Sequence, residues 1–303
     1  SIPVTHSCTT SQRPVQARGI ARMKNNTYPT GWRRAGRVTL ALTNGLALLS
    51  GCELIEFSPN QTSTPADYSD LTAKNMATLT RQALPTGDTL RFVFTGDSQR
   101  FYSEAEDLVA SVNQQPGIAF LVVAGDISDF GLGREMRWVH DKLKNLRVPY
   151  LTVVGNHDHA GNGRQVYQEV FGPLNYVFTY AGTRFIMLNT NGREYRFDGS
   201  VPNISWLQQQ LADTVGVQRQ VVVNHVPPMD EDFDPQLEQP YVQALKRAPR
   251  LALALNGHRH DFGISQPYGE GLTLINSYAF EKRRYVILTL WGNNQFKLKT
   301  IDF

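Results

Sequence analysis

Cysteine is nearly absent from this chain of 303 residues: Cys8 and Cys52 are the only two. That is too few for a disulfide framework. Long apolar runs are as scarce. The one candidate, VTLALTNGLALL at 38–49, is too short to span a bilayer as a stable helix. Acid is missing altogether from residues 1–52, which hold seven Lys and Arg. The formal net charge of +3 is therefore unevenly placed. Residues 53–303 carry 23 basic against 27 acidic residues, a balance of −4. A body with net negative charge excludes general nucleic-acid binding, which depends on neutralising phosphates. No internal repeat of fixed period is present.

The basic, acid-free segment has the order of a targeting sequence. Met23 and Lys24 begin a polar stretch containing Arg33, Arg34 and Arg37, the apolar run follows, and it ends in Leu49-Ser50-Gly51-Cys52. That ending resembles the bacterial lipobox, where small residues precede a cysteine that is lipidated and becomes the mature N-terminus. The resemblance implies a lipoprotein signal peptide over 23–52, preceded by a possible non-native extension at 1–22. It further implies a membrane anchor at Cys52 and a location in the cell envelope, facing the periplasm or exterior. The plainer alternative is a buried apolar helix with an incidental cysteine. ELIEFSPNQTSTPA at 53–66 is rich in Ser, Thr, Pro, Gln and Asn and reads as a tether. With a short helix within 67–84, the tether extends to residue 88, and a catalytic-type domain is expected over 89–303.

From about residue 89 the texture changes. Short β-branched apolar runs predict strands at 91–94, 120–124, 150–154, 184–188, 220–223, 251–255, 272–275, 285–290 and 296–301. Amphipathic segments at 102–114, 134–146, 204–212 and 238–248 predict helices. Alternation first and strands last implies an α/β domain with an antiparallel edge or second sheet.

The residues just after these runs carry the chemistry. FVF is followed by TGDSQ, LVVA by GDISD, LTVV by GNHDH, VVV by Asn224-His225, and LALAL by NGHRH. In open α/β sheets the carboxyl ends of strands gather at one edge, so these segments should bring their donors to one place. Four of the seven histidines, His157, His225, His258 and His260, lie in these motifs, with His159 close by. A lone Gly-Asp after a strand is usually a turn, and a lone Asn-His is usually a polar strand end. Together the segments would bury many carboxylates and imidazoles, at high cost unless cations pair with them. The set points to a metal site.

The order GDSQ, GDISD, GNHD, NH and GHRH over about residues 90–262 resembles the calcineurin-like metallophosphoesterases. The resemblance implies two mixed β-sheets packed as a sandwich and flanked by helices. It implies two divalent metals, Mn or Fe in preference to Mg or Zn, and a phosphate-ester substrate, monoester or diester, hydrolysed by an activated water. Carried over by position, Asp126 bridges both metals, Asp97 and His260 hold the first, and Asn156, His225 and His258 hold the second. His157 donates a proton to the leaving group, Asp129 orients His157, and Asp158 supports the site from behind. One position departs from the family pattern: Gln99 stands where a histidine is usual. A Gln oxygen is a weaker donor, so the first site should be harder and weaker. A membrane-anchored binding or scaffold module with a degenerate metal site is the alternative. An amide hydrolase would usually begin with a compact His-x-His-x-Asp-His cluster, which is missing.

Two further segments bear on substrate. PPMDEDFDPQLEQ follows His225 and holds Asp230, Glu231, Asp232, Asp234 and Glu238. It reads as a solvated loop or as a lid that repels highly charged substrates. Arg193, Tyr195 and Arg196 lie in the 190–202 loop, as surface residues or as contacts for a substrate group.

Overall fold

A computed structural model describes residues 62–85 and 87–303. The expected extension at 1–22, the signal segment 23–52 with Cys52, and the start of the tether lie outside the described residues. Among the described residues no helix is long and apolar enough to cross a membrane.

Two mixed sheets form the framework. In the first, β1 (Leu90–Thr95), β2 (Leu121–Val123) and β3 (Tyr150–Thr152) run parallel. β10 (Arg284–Trp291) lies antiparallel to β1, and β11 (Gln295–Asp302) antiparallel to β10, giving the order β11-β10-β1-β2-β3. In the second, β5 (Thr183–Leu188), β6 (Arg219–Asn224), β7 (Leu251–Asn256) and β9 (Leu274–Asn276) are parallel. β4 (Tyr176–Tyr180) and β8 (Gly263–Ser265) close its edges antiparallel.

Side-chain alternation builds the layers. Phe92 and Phe94 of β1 enter a core with Phe120, Phe178, Phe185 and Val221, between the sheets. Val93 points the other way, into the cluster under α2 (Tyr102–Val112), α3 (Gly133–Leu143) and α4 (Gly163–Val170). Ile186 and Val222 of the second sheet pack outward on Leu207 and Leu211 of α5 (Ile204–Ala212) and Val242 and Leu245 of α6 (Glu238–Arg247). Phe178 stacks on Phe185 with centroids 4.8 Å apart, and Phe92 stands edge-on to Phe185 at 5.3 Å. The first pair joins neighbouring strands of the second sheet, and the second crosses from one sheet to the other.

The expected helix within 67–84 is α1 (Leu71–Arg81), after one 3₁₀ turn at Ala66–Tyr68. Two helix starts are fixed by side chains. The Asn203 side chain accepts from Trp206 N at 3.0 Å, and Glu135 accepts from Phe130 N at 3.0 Å and Leu132 N at 3.3 Å. Among the α-helices and strands of the described residues, three add to the expected set: α4, β4 and β8.

Candidate metal centre

Every element that delivers a candidate donor ends at the same edge of the sandwich. Asp97 follows β1, Asp126 follows β2 and Asn156 follows β3, all from the first sheet. His225 follows β6, and His258 and His260 follow β7, from the second. The glycines before the ligands permit the approach. A Cβ on Gly155 would lie 2.1 Å from both Asp126 N and Oδ1, and one on Gly125 would lie 2.3 Å from His225 Nδ1. Asp97, Asp126, His258 and His260 have φ of 51°, 53°, 73° and 58°. Left-handed backbone is uncommon for any residue but glycine, although Asp and His tolerate it better than most, and four instances meet here.

The donors fall in two groups. Asp97, Asp126 and His260 place one atom each within 4.8 Å of one another. In the other group, Asn156 Oδ1 is 2.9 Å from His225 Nε2 and 3.1 Å from His258 Nδ1, and the two ring nitrogens are 3.3 Å apart. Asp126 lies between the groups: its Oδ2 is 3.3 Å from His225 Nε2 and its Oδ1 accepts from His157 N at 3.0 Å.

A cation fits this arrangement. Asp97 is fully buried, and its Oδ2 has no hydrogen-bond partner. Burial pushes its carboxyl up, His225 opposes that, and the Asp126 carboxylate adds to it. The outer nitrogens of the imidazoles face acceptors: Ala124 O is 2.6 Å from His225 Nδ1, and Asp230 Oδ1 is 3.2 Å from His258 Nε2. With the outer nitrogens protonated, His225 Nε2, His258 Nδ1 and Asn156 Oδ1 point lone pairs at one centre. Burial alone would lower the His225 pKa, but the Asp126 carboxylate beside it raises it well above the usual histidine value. The cluster thus draws positive charge to itself.

His157 stands at the rim with its side chain 38% exposed, so it can meet a ligand. Its Nδ1 donates to the Asp129 backbone carbonyl at 2.9 Å. The Asp129 carboxylate is 3.7 Å from the same nitrogen and is paired with Arg100 at 2.5 Å. The orienting contact within hydrogen-bonding distance is thus the Asp129 carbonyl. Asp158 is buried and accepts from Ile127 N, Ser128 N, Ser128 Oγ and Gly155 N. It therefore ties the segment after Asp126 to the one before Asn156.

Sequence reading missed Arg100 and Glu281, the latter 3.6 Å from His260 Nδ1. Neither lies in a motif; only the fold brings them close. The reading of the acidic segment as a solvated loop does not fit. Asp232 and Asp234 are buried, and of the adjoining acids only Glu231 is well exposed. Arg193 N donates to Asp232 O at 3.0 Å and Gly199 N to Asp234 Oδ2 at 3.0 Å, so this loop and the 190–202 loop are knitted together. Arg193 is bound to Asp232 at 2.5 Å. Tyr195 accepts from Asn189 Nδ2 at 3.3 Å and meets the His159 ring edge-on.

Comparison with known proteins agrees with this geometry. The calcineurin-like phosphoesterase family profile matches residues 90–262. The chain is 26% identical over 164 residues to the glycerophosphodiester phosphodiesterase GpdQ of Enterobacter lignolyticus, covering 48% of this chain and 57% of that protein. It is 29% identical over 105 residues to a probable GpdQ of Arcobacter nitrofigilis, covering 33% and 38%. The match thus spans less than two-thirds of either relative. The fold is also that of a dimetal phosphatase from Danio rerio, with a TM-score of 0.55 at 13% identity over 71% of this chain and 99% of the other. A purple acid phosphatase, PPD1 from yellow lupin seeds, shares it with a TM-score of 0.57 at 12% identity, over 73% and 52%. The chain belongs to the calcineurin-like phosphoesterase family.

Proposed function

We propose that the enzyme hydrolyses phosphate diesters with two divalent cations, Mn or Fe in preference to Mg or Zn. Asp97, Asp126 and His260 would hold one, and Asp126, Asn156, His225 and His258 the other. When bound, the cations supply Lewis acidity toward the phosphoryl oxygens and lower the pKa of an attacking water. The carrying observation is the convergence of Asn156 Oδ1, His225 Nε2 and His258 Nδ1 within 3.3 Å, with each outer ring nitrogen facing an acceptor.

His157 moves the second proton. Its Nδ1–H is held by the Asp129 carbonyl, which leaves Nε2 to carry a proton toward the departing alcohol oxygen. Arg100 holds the Asp129 carboxylate and so steadies the peptide that aims the ring. Two observations favour diesters over monoesters. Arg100, Arg193 and Arg259 are each paired with an acid, which leaves less positive charge for a dianionic monoester. The two bacterial relatives are named as diesterases.

Kinetics on two leaving groups test the assignment of His157. His157→Ala should keep bound metal and lose roughly 10²–10⁴ in rate on an alkyl diester. The loss should be much smaller on a nitrophenyl ester, whose leaving group needs little protonation. Equal losses on both would remove His157 from the acid role.

We propose also that Cys52 carries a lipid anchor and that the site faces the outside of a membrane. The basic flank, short apolar run and Ser-Gly-Cys ending support this reading. Mass spectrometry of the mature N-terminus decides it: an unmodified Cys52 still joined to residues 23–51 would sink the anchor.

A further inference from the structure

We propose that Asp230 and Asp232 are positioning residues: they lock His258 with Nδ1 toward Asn156 and His225, and so set the affinity of the second cation. This rests on the two-cation reading of the site.

Among the three candidate ligand imidazoles, His258 is the one that turns Nδ1 inward. His225 and His260 point Nε2 at Asp126 and Asp97, at 3.3 and 3.5 Å. The outer nitrogen of His225 finds a backbone carbonyl, Ala124 O. His258 Nε2 points instead toward the loop that follows β6, where Asp230 Oδ1 lies at 3.2 Å and Asp232 Oδ2 at 3.6 Å. The His258 backbone is already held, since its N donates to Asp97 Oδ1 at 3.1 Å. What remains free is the side-chain rotation, and these two carboxylates fix it.

Each acid divides its oxygens in the same way. Asp230 turns Oδ1 to His258 and Oδ2 to Arg259 Nε at 3.2 Å. Asp232 turns Oδ2 to His258 and Oδ1 to Arg193 Nη2 at 2.5 Å. Arg259 pairs with Asp230, and Arg193 with Asp232 and the exposed Glu231, so much of the negative charge behind His258 is offset. The same three side chains, Asp230, Asp232 and His258, could themselves surround a cation. The guanidinium groups speak against that, because they already occupy the other oxygen of each carboxylate. An acceptor on the outer nitrogen fixes the tautomer and raises the basicity of the inner one; losing it typically weakens metal binding about 10–100-fold.

The test is a Mn²⁺ titration of metal-free, full-length protein, counting equivalents by calorimetry and electron paramagnetic resonance. Wild type should bind two. Asp230→Ala with Asp232→Ala should weaken the second equivalent about 10–100-fold and leave the first unchanged, which also shows that the variant is folded. The Asp230→Asn, Asp232→Asn pair keeps an acceptor oxygen and should recover part of the loss. Glu231→Gln, next to both, should change neither equivalent. An unchanged second equivalent in the Ala pair, or no recovery in the Asn pair, overturns the inference. A third wild-type equivalent that the Ala pair lacks also overturns it, since the acids would then be ligands. Wild type that takes up fewer than two cations overturns the inference together with the reading beneath it.

Discussion

The two ends of the sandwich are each crossed by a polar cluster, and the clusters differ in what completes them. At the amino ends of the parallel strands, Arg219 is fully buried and joins the sheets. Its Nε donates to Thr183 Oγ1 at 2.8 Å, its Nη2 to Asp88 O and Oδ1 at 2.8 Å, and its Nη1 to Gly292 O. Thr183 begins a strand of the second sheet, while Asp88 and Gly292 flank strands of the first. At the carboxyl ends, carboxylates and an amide from the first sheet meet imidazoles from the second. There Asp97 Oδ2 and Gln99 Oε1 are buried without a partner. The first cluster carries its own cation as a guanidinium. The second leaves the acceptors Asp97 Oδ2 and Gln99 Oε1 without donors, which the proposed cations would supply. One end is a fastening and the other a site, and the difference lies in the supply of donors, not in the amount of charge.

Removing the residue common to both groups of donors should have the largest effect. Asp126→Ala should cost more than roughly 10³-fold in turnover, because it withdraws support from both cations at once. Metal analysis should find both equivalents lost together. A variant that retained one cation at full affinity would show that Asp126 does not bridge.

The contrast between the ends also predicts opposite signs in stability. Arg219→Met breaks a fastening whose groups are all satisfied, and should destabilise by about 3 kcal/mol. The figure is at the low end for buried pairs, since the Asp88 side chain is 42% exposed and would be rehydrated. Asp97→Asn should do the reverse in metal-free protein. Burial raises the folded-state pKa of Asp97 to about 8, so metal-free protein loses stability as pH rises from the unfolded value to that point, because the folded state keeps a proton that the unfolded chain has released. Asparagine needs no such proton, so it should stabilise metal-free protein near neutral pH by about 1–2 kcal/mol after the cost of burying its amide. It should weaken cation binding at the same time. Thermal melts with and without Mn²⁺ measure both effects, and a metal-free Asp97→Asn protein that melts lower than wild type would break the comparison.

Much of this was legible in the sequence, for a physical reason. The ends of buried strands stand out because their apolar cores, such as Val221, Val222 and Val223 within β6, break off abruptly at polar residues, here Asn224 and His225. Gly-Asp, Gly-Asn-His and Gly-His stand out likewise, because glycine is what lets the ligand loops touch. What stayed hidden was of two kinds. Short elements such as α4, with eight residues, and β8, with three, have too little pattern to read. Partners that meet only through the fold have no local signal. Arg100 reaches Asp129 across 29 positions, and Asp230 is 28 positions before the histidine it supports. The acidic run around 230 was visible as composition, but its role depends on Arg193 and Arg259, which only the fold places beside it.

The smallest expected effect concerns Gln99, and it sharpens the difference between the two donor groups. The second group presents two imidazoles and an amide. The first presents two carboxylates and one imidazole, with Gln99 two residues after Asp97. Gln99 is only 4% exposed, its backbone N donates to Asp126 O at 3.0 Å, and its Oε1 has no partner. Its amide oxygen is thus unpaired, and as a metal ligand it would be a poorer donor than an imidazole. Gln99→His should tighten the first cation roughly tenfold and shift its preference from Mg²⁺ toward Zn²⁺, since imidazole is the softer ligand. The second cation should be unaffected. Paired titrations with Mg²⁺ and Zn²⁺, together with activity at limiting Mn²⁺, would show it. Unchanged constants for both metals would place the side chain outside reach of the first cation, and the asymmetry between the two groups would then rest on Asp97 and His260 alone.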